Sequence, residues 1–338
     1  MMRLSTSEPP TKIPAYRITI NGSDATDRFK GRLISLTLSD APGFEADQLD
    51  ITIDDTDGAV ALPPTGAEIR LHLGFKEEGL VDKGSYTVDE VEHSGPPDAI
   101  TIRARSADIS AGLKEQKKKA WHQVTVGDIV TTIAKAHNLV PAVADALAGI
   151  TVAHIDQTDE SDAHFLTRLA KDYNAIATVK NGRLLFIQRG AGKTAGGSTL
   201  PTATIRREDG DRHHYRKAER TGKYTGVRAR WLDRNAAKAY SILAGEEGTV
   251  KALRKTHTNE QEAWHAANSE LKRLQRGGTE LELTLATANL ELMPEVPVKA
   301  SGWKETIDAK KWIIAGPVTH KLEGALITSL TLGIEAPD

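Results

Sequence analysis

The amino-acid sequence predicts a mainly β protein with an α/β insert, α+β in class. Three observations lead there. Short runs of alternating apolar and polar residues recur between positions 15 and 110 and again beyond 203. Between them, over 115–190, the apolar spacing changes from the two-residue period of strands to the rhythm of helices. Within that middle segment Asn181-Gly182 separates two apolar runs, a strong hairpin signal because both residues accept positive φ.

The elements follow in order. Tyr16, Ile18 and Ile20 alternate with polar neighbours, and Asn21-Gly22 turns the chain. Leu33–Leu38 is a second strand, and Leu49, Ile51 and Ile53 mark a third that stops at the acidic turn DDTDG, 54–58. Ile69, Leu71 and Leu73 alternate next; Tyr86–Val91 and Ala99–Ala104 complete the set around the turn SGPPD, 94–98. Short strands punctuated this often suggest a barrel or sandwich. After Lys114 a basic run, EQKKK, leads into Trp121. A helix is predicted near 125–138, with Thr125 and Asp128 as capping partners and Val126, Ile129, Val130 and Ile133 on one face. A second is predicted near 161–173, with Phe165, Leu166, Leu169, Ala170 and Tyr173 as its apolar stripe. The hairpin 175–188 closes this unit, and the small, Pro-containing stretch after it reads as a flexible linker. Strand patterns resume at Thr204-Ile205 and Tyr224–Trp231. A helix near 259–276 opens on Thr258 with Gln261, ends at Gly277-Gly278, and places Trp264, Ala267, Leu271 and Leu274 on one face. Strands return at Leu281–Leu285, Val296–Val298, Trp312–Ile314 and Leu326–Ile334. The organisation expected is therefore a first β domain over 1–114, the α/β insert over 115–190, a linker over 191–203 and a second β domain over 204–338.

Composition narrows the function. The chain has 338 residues, of which 39% are hydrophobic and only 5% aromatic, so modest cores are expected rather than one large one. Lys and Arg total 44 against 46 acids, a net charge of −2 that points to no polyanionic partner globally. With no cysteine, disulfides, thiol nucleophiles and Cys-based metal sites are excluded. No run approaches the roughly 18 apolar residues of a membrane span, so no membrane anchoring is expected. The N-terminal stretch MMRLSTSEPPTKIPAY lacks the apolar centre of a signal peptide.

Chemical motifs are few. RGAGKT (189–194) resembles a phosphate-binding loop, but that motif needs a glycine where Ile187 stands and a helix after Thr194, where Ala-Gly-Gly-Ser follows. Glu90…His93 and Glu262…His265 have the spacing of di-iron carboxylate ligands, yet only the second pair lies on a predicted helix. The doublet His213-His214 suits opposite faces of a strand better than a metal. No G-x-S-x-G elbow and no calcium-loop pattern occur, so neither a catalytic residue nor a cofactor or metal site is expected. Residues 206–234 carry ten Lys and Arg against five acids. Lys223, Arg228 and Arg230 within it are the candidate interface residues, and the acidic stretch 40–57 is a candidate complement between subunits.

Several stretches, taken in order, resemble the phage late control gene D proteins, the baseplate hubs of contractile tails. They are PGFEADQLDITIDDTDG (42–58), GSYTVDEVEHSGPPDAITIRARSADISAGLKEQKKKAW (84–121), TVGDIVTTIAKAHNL (125–139) and DQTDESDAHFLTRLAKDYNAIATVKNGRLLF (156–186). The last is also similar to the hub portion of type VI secretion spike proteins. The C-terminal arrangement of Trp312, His320 and a final alternating strand fits as well. The resemblance implies a structural protein of the virion or tail-like particle, synthesised in the bacterial cytoplasm. It implies a homotrimer with two tube-like β-barrel domains per subunit, forming a pseudo-sixfold ring. That ring would join a hexameric tail tube or tube-initiator protein to a trimeric central spike and line the central channel, with a tape measure protein as a further partner. Lys223, Arg228 and Arg230 would then lie on the channel wall or a subunit interface. No sequence-specific nucleic-acid contact is implied. The rival readings are a tail-associated cell-wall hydrolase and a carbohydrate- or nucleic-acid-binding β module.

Overall fold

The computed structural model describes residues 12–44, 46–106, 111–180, 182–218, 224–233 and 236–335. The first part of the chain forms β1 (Pro14–Ile20), β2 (Ser23–Asp24), a short helix α1 (Thr26–Phe29), β3 (Leu33–Asp40), β4 (Gln48–Asp54), β5 (Glu68–Phe75), β6 (Gly79–Ser94) and β7 (Ala99–Ser106). The middle forms β8 (Gln116–Thr125), α2 (Val126–Ala136), β9 (Val140–Val143), α3 (Asp145–Ala148), β10 (Thr151–Ser161), α4 (Asp162–Asp172), β11 (Ala175–Lys180) and β12 (Arg183–Gln188). The remainder forms β13 (Ala203–Arg206), β14 (Gly210–Lys217), β15 (Gly226–Asp233), β16 (Lys238–Gly245), β17 (Val250–His257), α5 (Glu260–Arg276), β18 (Thr279–Leu285), β19 (Pro297–Ser301), α6 (Glu305–Asp308), β20 (Trp312–Glu323) and β21 (Ala325–Ile334). The mainly β character with few helices is as the sequence predicts.

The two-barrel expectation meets a different topology. Thirteen strands form one sheet running β14-β18-β21-β20-β3-β4-β7-β6-β5-β1-β2, with β13 and β19 branching from β20. That path is open, and no closed ring is present among the described strands. The cause is β20, which changes partners along its length. Ile313 pairs with Pro297 of β19, whereas Val318 to Leu322 pair with Asp40 to Leu36 of β3. The ladder with β21 breaks between Ile314 and Val318, where Ala315-Gly316-Pro317 stand. Proline there has no N–H to give, which suits a bulge and not a continuous central ladder.

Buried side chains follow this switch. Ile18, Leu36, Leu49, Ile51, Ile69 and Leu71 fill one core on the first half of the sheet. Trp312, Ile314, Leu281, Leu283 and Leu332 fill another. Leu322 and Leu326, from the far end of the β20–β21 hairpin, belong to the first core. Each fully buried aliphatic side chain contributes about 1.5–3 kcal/mol, so the hairpin ties the two halves by burial as well as by backbone hydrogen bonds.

The insert folds around its own core, with Val126, Ile129, Val130 and Ile133 of α2 and Phe165, Leu166 and Leu169 of α4 buried as the periodicity predicts. Thr125 caps α2 and Asp128 returns the bond to the Thr125 N–H. EQKKK is not merely a basic lead-in. Most of it lies in β8, paired with β10, where Lys117 meets Asp162 at 2.6 Å. The turn of the 175–188 hairpin keeps Gly182 at φ +69, while Asn181 lies outside the described residues.

Within the last part, β16, β15 and β17 form a separate three-stranded sheet covered by α5. Two details of α5 differ from expectation. Asn259, not Thr258, is the N-cap, its side chain accepting from the Glu262 N–H. The buried stripe is Ala263, Ala267, Leu271 and Leu274, with Trp264 43% exposed. A methyl fits beneath the sheet at position 263, and the indole one residue on is turned about 100° away.

Candidate functional site

The basic stretch is split between two sheets. Arg212 and Arg216 lie on β14, at the edge of the large sheet, and Arg228 and Arg230 lie on β15 of the small one. Alternation on β15 buries Val227 and Ala229 against α5 and turns Arg228 and Arg230 to the opposite face. Arg228 is held by Glu247 at 2.7 Å. Arg230 is exposed, with no ion pair among the described residues. Lys223 lies outside the described residues. Arg216 pairs with Glu280 at 2.6 Å and His214 with Glu282 at 3.5 Å. Arg206, Arg207, Arg212, His213 and Trp303 line a cleft of about 920 Å³, in which the Arg207 guanidinium donates to His213 Nδ1 at 2.8 Å.

Other motifs resolve into structural roles. Glu90 pairs with Arg103 and His93 faces Asp55 at 3.5 Å, while Glu262 accepts from Thr258 Oγ1 at 2.7 Å and His265 lies edge-on to Tyr173. Lys193 is exposed in a turn closed by a Lys193–Thr199 bridge, and no helix follows Thr194. The acidic stretch is used mostly within the chain. Asp57 pairs with Arg32, and Asp40 and Asp47 both hold Lys180.

A buried Asp–His pair does occur. His137 Nε2 lies 2.7 Å from Asp162, which also accepts from Lys117 and Gln157. Burial pushes the Asp162 carboxyl up, but these three hydrogen bonds outweigh it and leave the group below its ordinary value. The cluster joins the end of α2 to the start of α4 and fastens the insert. Among the described residues no group of three or more His, Asp or Glu could hold a metal, and no helix is long and apolar enough to cross a membrane.

Sequence reasoning missed the joints between the units. Lys180, on β11, donates to Asp40 at 2.8 Å and to Asp47 at 2.6 Å, and Thr178 Oγ1 donates to the Gly43 carbonyl at 2.5 Å. Burial, with Asp40 nearby, pushes the Asp47 carboxyl up to about 6 despite Lys180. Lys83, on β6, reaches the Leu290 carbonyl at 2.5 Å. His320 is buried on β20 with Nδ1 2.8 Å from Thr328 Oγ1, and burial holds its pKa down at about 3, so it stays neutral. None of these pairs has a local signature. The partners of Lys180 are more than 130 positions away.

Comparison with known proteins gives the same direction throughout. The family model described as phage tail baseplate hub (GPD) matches residues 47–323. The probable baseplate hub protein of Escherichia phage 186 is 42% identical, over 96% of this chain and 94% of its own. That of Escherichia phage P2 is 41% identical over 97% and 95%. Among solved structures, a tail protein from Neisseria meningitidis MC58 superposes with a TM-score of 0.69 at 13% identity, covering 95% of this chain and 96% of its own. The 43 kDa tail protein of prophage MuSo2 from Shewanella oneidensis gives 0.67 at 14% identity, covering 94% and 98%. A type VI secretion component from Escherichia coli, described as structurally similar to the T4 tail proteins gp27 and gp5, gives 0.55 at 14% identity, covering 95% of this chain and 77% of its own. The fold is thus that of tail proteins, and on the match over residues 47–323 together with full-length identity above 40%, the chain belongs to the phage tail baseplate hub (GPD) family.

Proposed function

We propose that this hub works as a trimeric symmetry adapter, seating a trimeric spike on one side and a sixfold tail tube on the other, with a channel along its axis. Its two β halves act as the paired tube-like units of each subunit, so three subunits present six. The observation that carries this reading is the continuous sheet. Pairing of β3 with β20 fixes one half against the other, as a rigid ring wall requires. The insert and the β15–β17 unit with α5 stand as separate packed modules with cores of their own, available for contacts with neighbours. Arg228 and Arg230 face away from α5, which supports a reading in which they meet a subunit or the channel. No enzymatic family is indicated by the relatives, and the role is structural.

Two measurements test this. Light scattering of the chain co-expressed with its spike should give a complex containing three copies of the 36.6 kDa chain, about 110 kDa of hub. One hub copy per complex would refute the adapter. Charge reversal of Lys223, Arg228 and Arg230 together should impair assembly or passage through the channel, and normal particles with full infectivity or killing would remove these residues from the proposal.

A further inference from the structure

A cleft lies where the insert meets α5 and the β20–β21 hairpin. It measures about 1080 Å³, and Asn174, Arg189, His257, Arg276 and Glu295 are among the residues lining it. Its wall is built, not incidental. Asn174 is 6% exposed and sits at φ +49 just after α4, its carbonyl accepting from the Arg189 N–H at 3.0 Å and from Gln188 Nε2 at 2.9 Å. Arg276, in the last turn of α5, donates from Nη2 to Asn174 Oδ1 at 2.5 Å. This leaves two neighbouring donors, Asn174 Nδ2 and Arg276 Nη1, buried without a partner, and His257 Nε2 is buried without one on the same cleft. Such groups are costly unless an acceptor reaches them.

Charge points the same way. Arg189 and Arg273 lie near Arg276 with one carboxyl, Glu295, which accepts from the Gly190 N–H at 2.5 Å and whose pKa burial raises, and Arg273 is itself paired with Glu270 at 2.7 Å. Burial, with Arg189 and Arg273 nearby, pushes the Arg276 guanidinium down to about 10, while Glu295 opposes the shift. The lining carries six Lys and Arg against four Asp and Glu, an excess that favours an added carboxylate. A planar acceptor with two oxygens matches two adjacent N–H donors.

We infer that this cleft is a carboxylate-binding site in which Asn174 Nδ2 and Arg276 Nη1 hold the two oxygens of one carboxylate. The carboxylate comes either from a free small acid or from an Asp, Glu or chain terminus of a second copy of this chain.

Acetate is the probe. Thermal melting of the full chain is compared in sodium acetate and sodium chloride at matched ionic strength and pH 7.5. Acetate should raise the melting temperature above chloride saturably, by roughly 2–4 °C. Two variants test the assignment. Asn174→Gly removes the amide while keeping a backbone conformation glycine adopts freely, so it should fold. Arg276→Lys keeps the charge and loses the planar donor pair. Both should abolish the difference between the salts, and Lys193→Ala, an exposed position outside the cleft, should keep it. Light scattering then separates the sources. Loss of self-association in acetate identifies a neighbouring chain's carboxylate, and an unchanged mass identifies a free acid. Equal melting in both salts together with an unchanged mass for the parent chain, or an acetate response retained in Asn174→Gly, overturns the inference.

Discussion

Replacing Lys180 by methionine tests how the insert is held. The side chain makes two charge-assisted hydrogen bonds, to Asp40 at 2.8 Å and Asp47 at 2.6 Å. Removing one partner of a fully buried ion pair costs about 3–5 kcal/mol. Here Lys180 is 33% exposed and Asp47 16% exposed, so screening reduces the expected penalty to about 2 kcal/mol at pH 8. The penalty should depend on pH, with a definite sign. Asp47 is raised from 3.8 to about 6 in the folded protein, so the native state holds this proton more tightly than the unfolded chain. Stability therefore falls as pH rises from about 4 through 6. Lys180 opposes that loss by favouring the charged carboxylate. Without it the falling limb extends to higher pH, so the variant should lie within about 1 kcal/mol of the parent at pH 5 and reach its full penalty at pH 8. Denaturant unfolding followed by tryptophan fluorescence at both pH values measures this, and hydrogen exchange over β11 localises it. Adding Asp47→Asn to Lys180→Met should recover about half of the loss, since one of the unpaired carboxylates is gone. A penalty below about 0.5 kcal/mol at pH 8, or one equal at both pH values, would refute the account.

Further tests address the other joints. Thr125→Ala removes the cap of α2 and should cost about 1 kcal/mol, read from the denaturation midpoint. Glu270 is held at about 2, chiefly by Arg273 and also by Lys251 at 2.5 Å. Its contribution is therefore present above its ordinary value of 4.5 and lost as pH falls toward 2, and Glu270→Gln should lower stability by about 1 kcal/mol at pH 7 but leave it unchanged near pH 2. Gly192 sits at φ +58 with a would-be Cβ only 2.5 Å from Pro297 Cγ, so Gly192→Val should lower the melting temperature clearly. Lys193→Ala beside it should stay within about 0.5 kcal/mol.

What was legible in the sequence was local and periodic. The apolar stripes of α2 and α4 follow from spacing alone, and the hairpin at 175–188 from one dipeptide. Rejecting a phosphate loop at 189–194 needed only the wrong residue at Ile187, and the turn there agrees. What was illegible depended on distant partners. The residues TVAHIDQTDES show weak alternation, and they form β10 because β8 lies beside them and Lys117 meets Asp162. The unit of β15, β16 and β17 was hidden because only the buried residues of β15 alternate cleanly, while β16 exposes Lys238 to Ser241. For the carboxylate cleft, Asn174 and Arg276 are individually ordinary, a helix stop and a terminal arginine. They become a site only when α4 and α5 end side by side, 102 positions apart.

The same reasoning explains why the ladder joining the two β halves was not legible. A strand prediction asks whether a segment alternates, and the end of the chain does: Val318, His320 and Leu322 face inward on β20. It does not say which strand receives that edge. β19 begins at Pro297, opposite Ile313, so β20 beyond Ile314 runs past the start of β19. With a bulge there, the edge of the second half is released from β19 and handed to β3. That transfer uses the otherwise open edge of β3, which removes an aggregation-prone strand from each half at once. The two halves of the sheet are tied by the backbone ladder between β3 and β20. Separate barrels joined by a linker would lack this shared ladder.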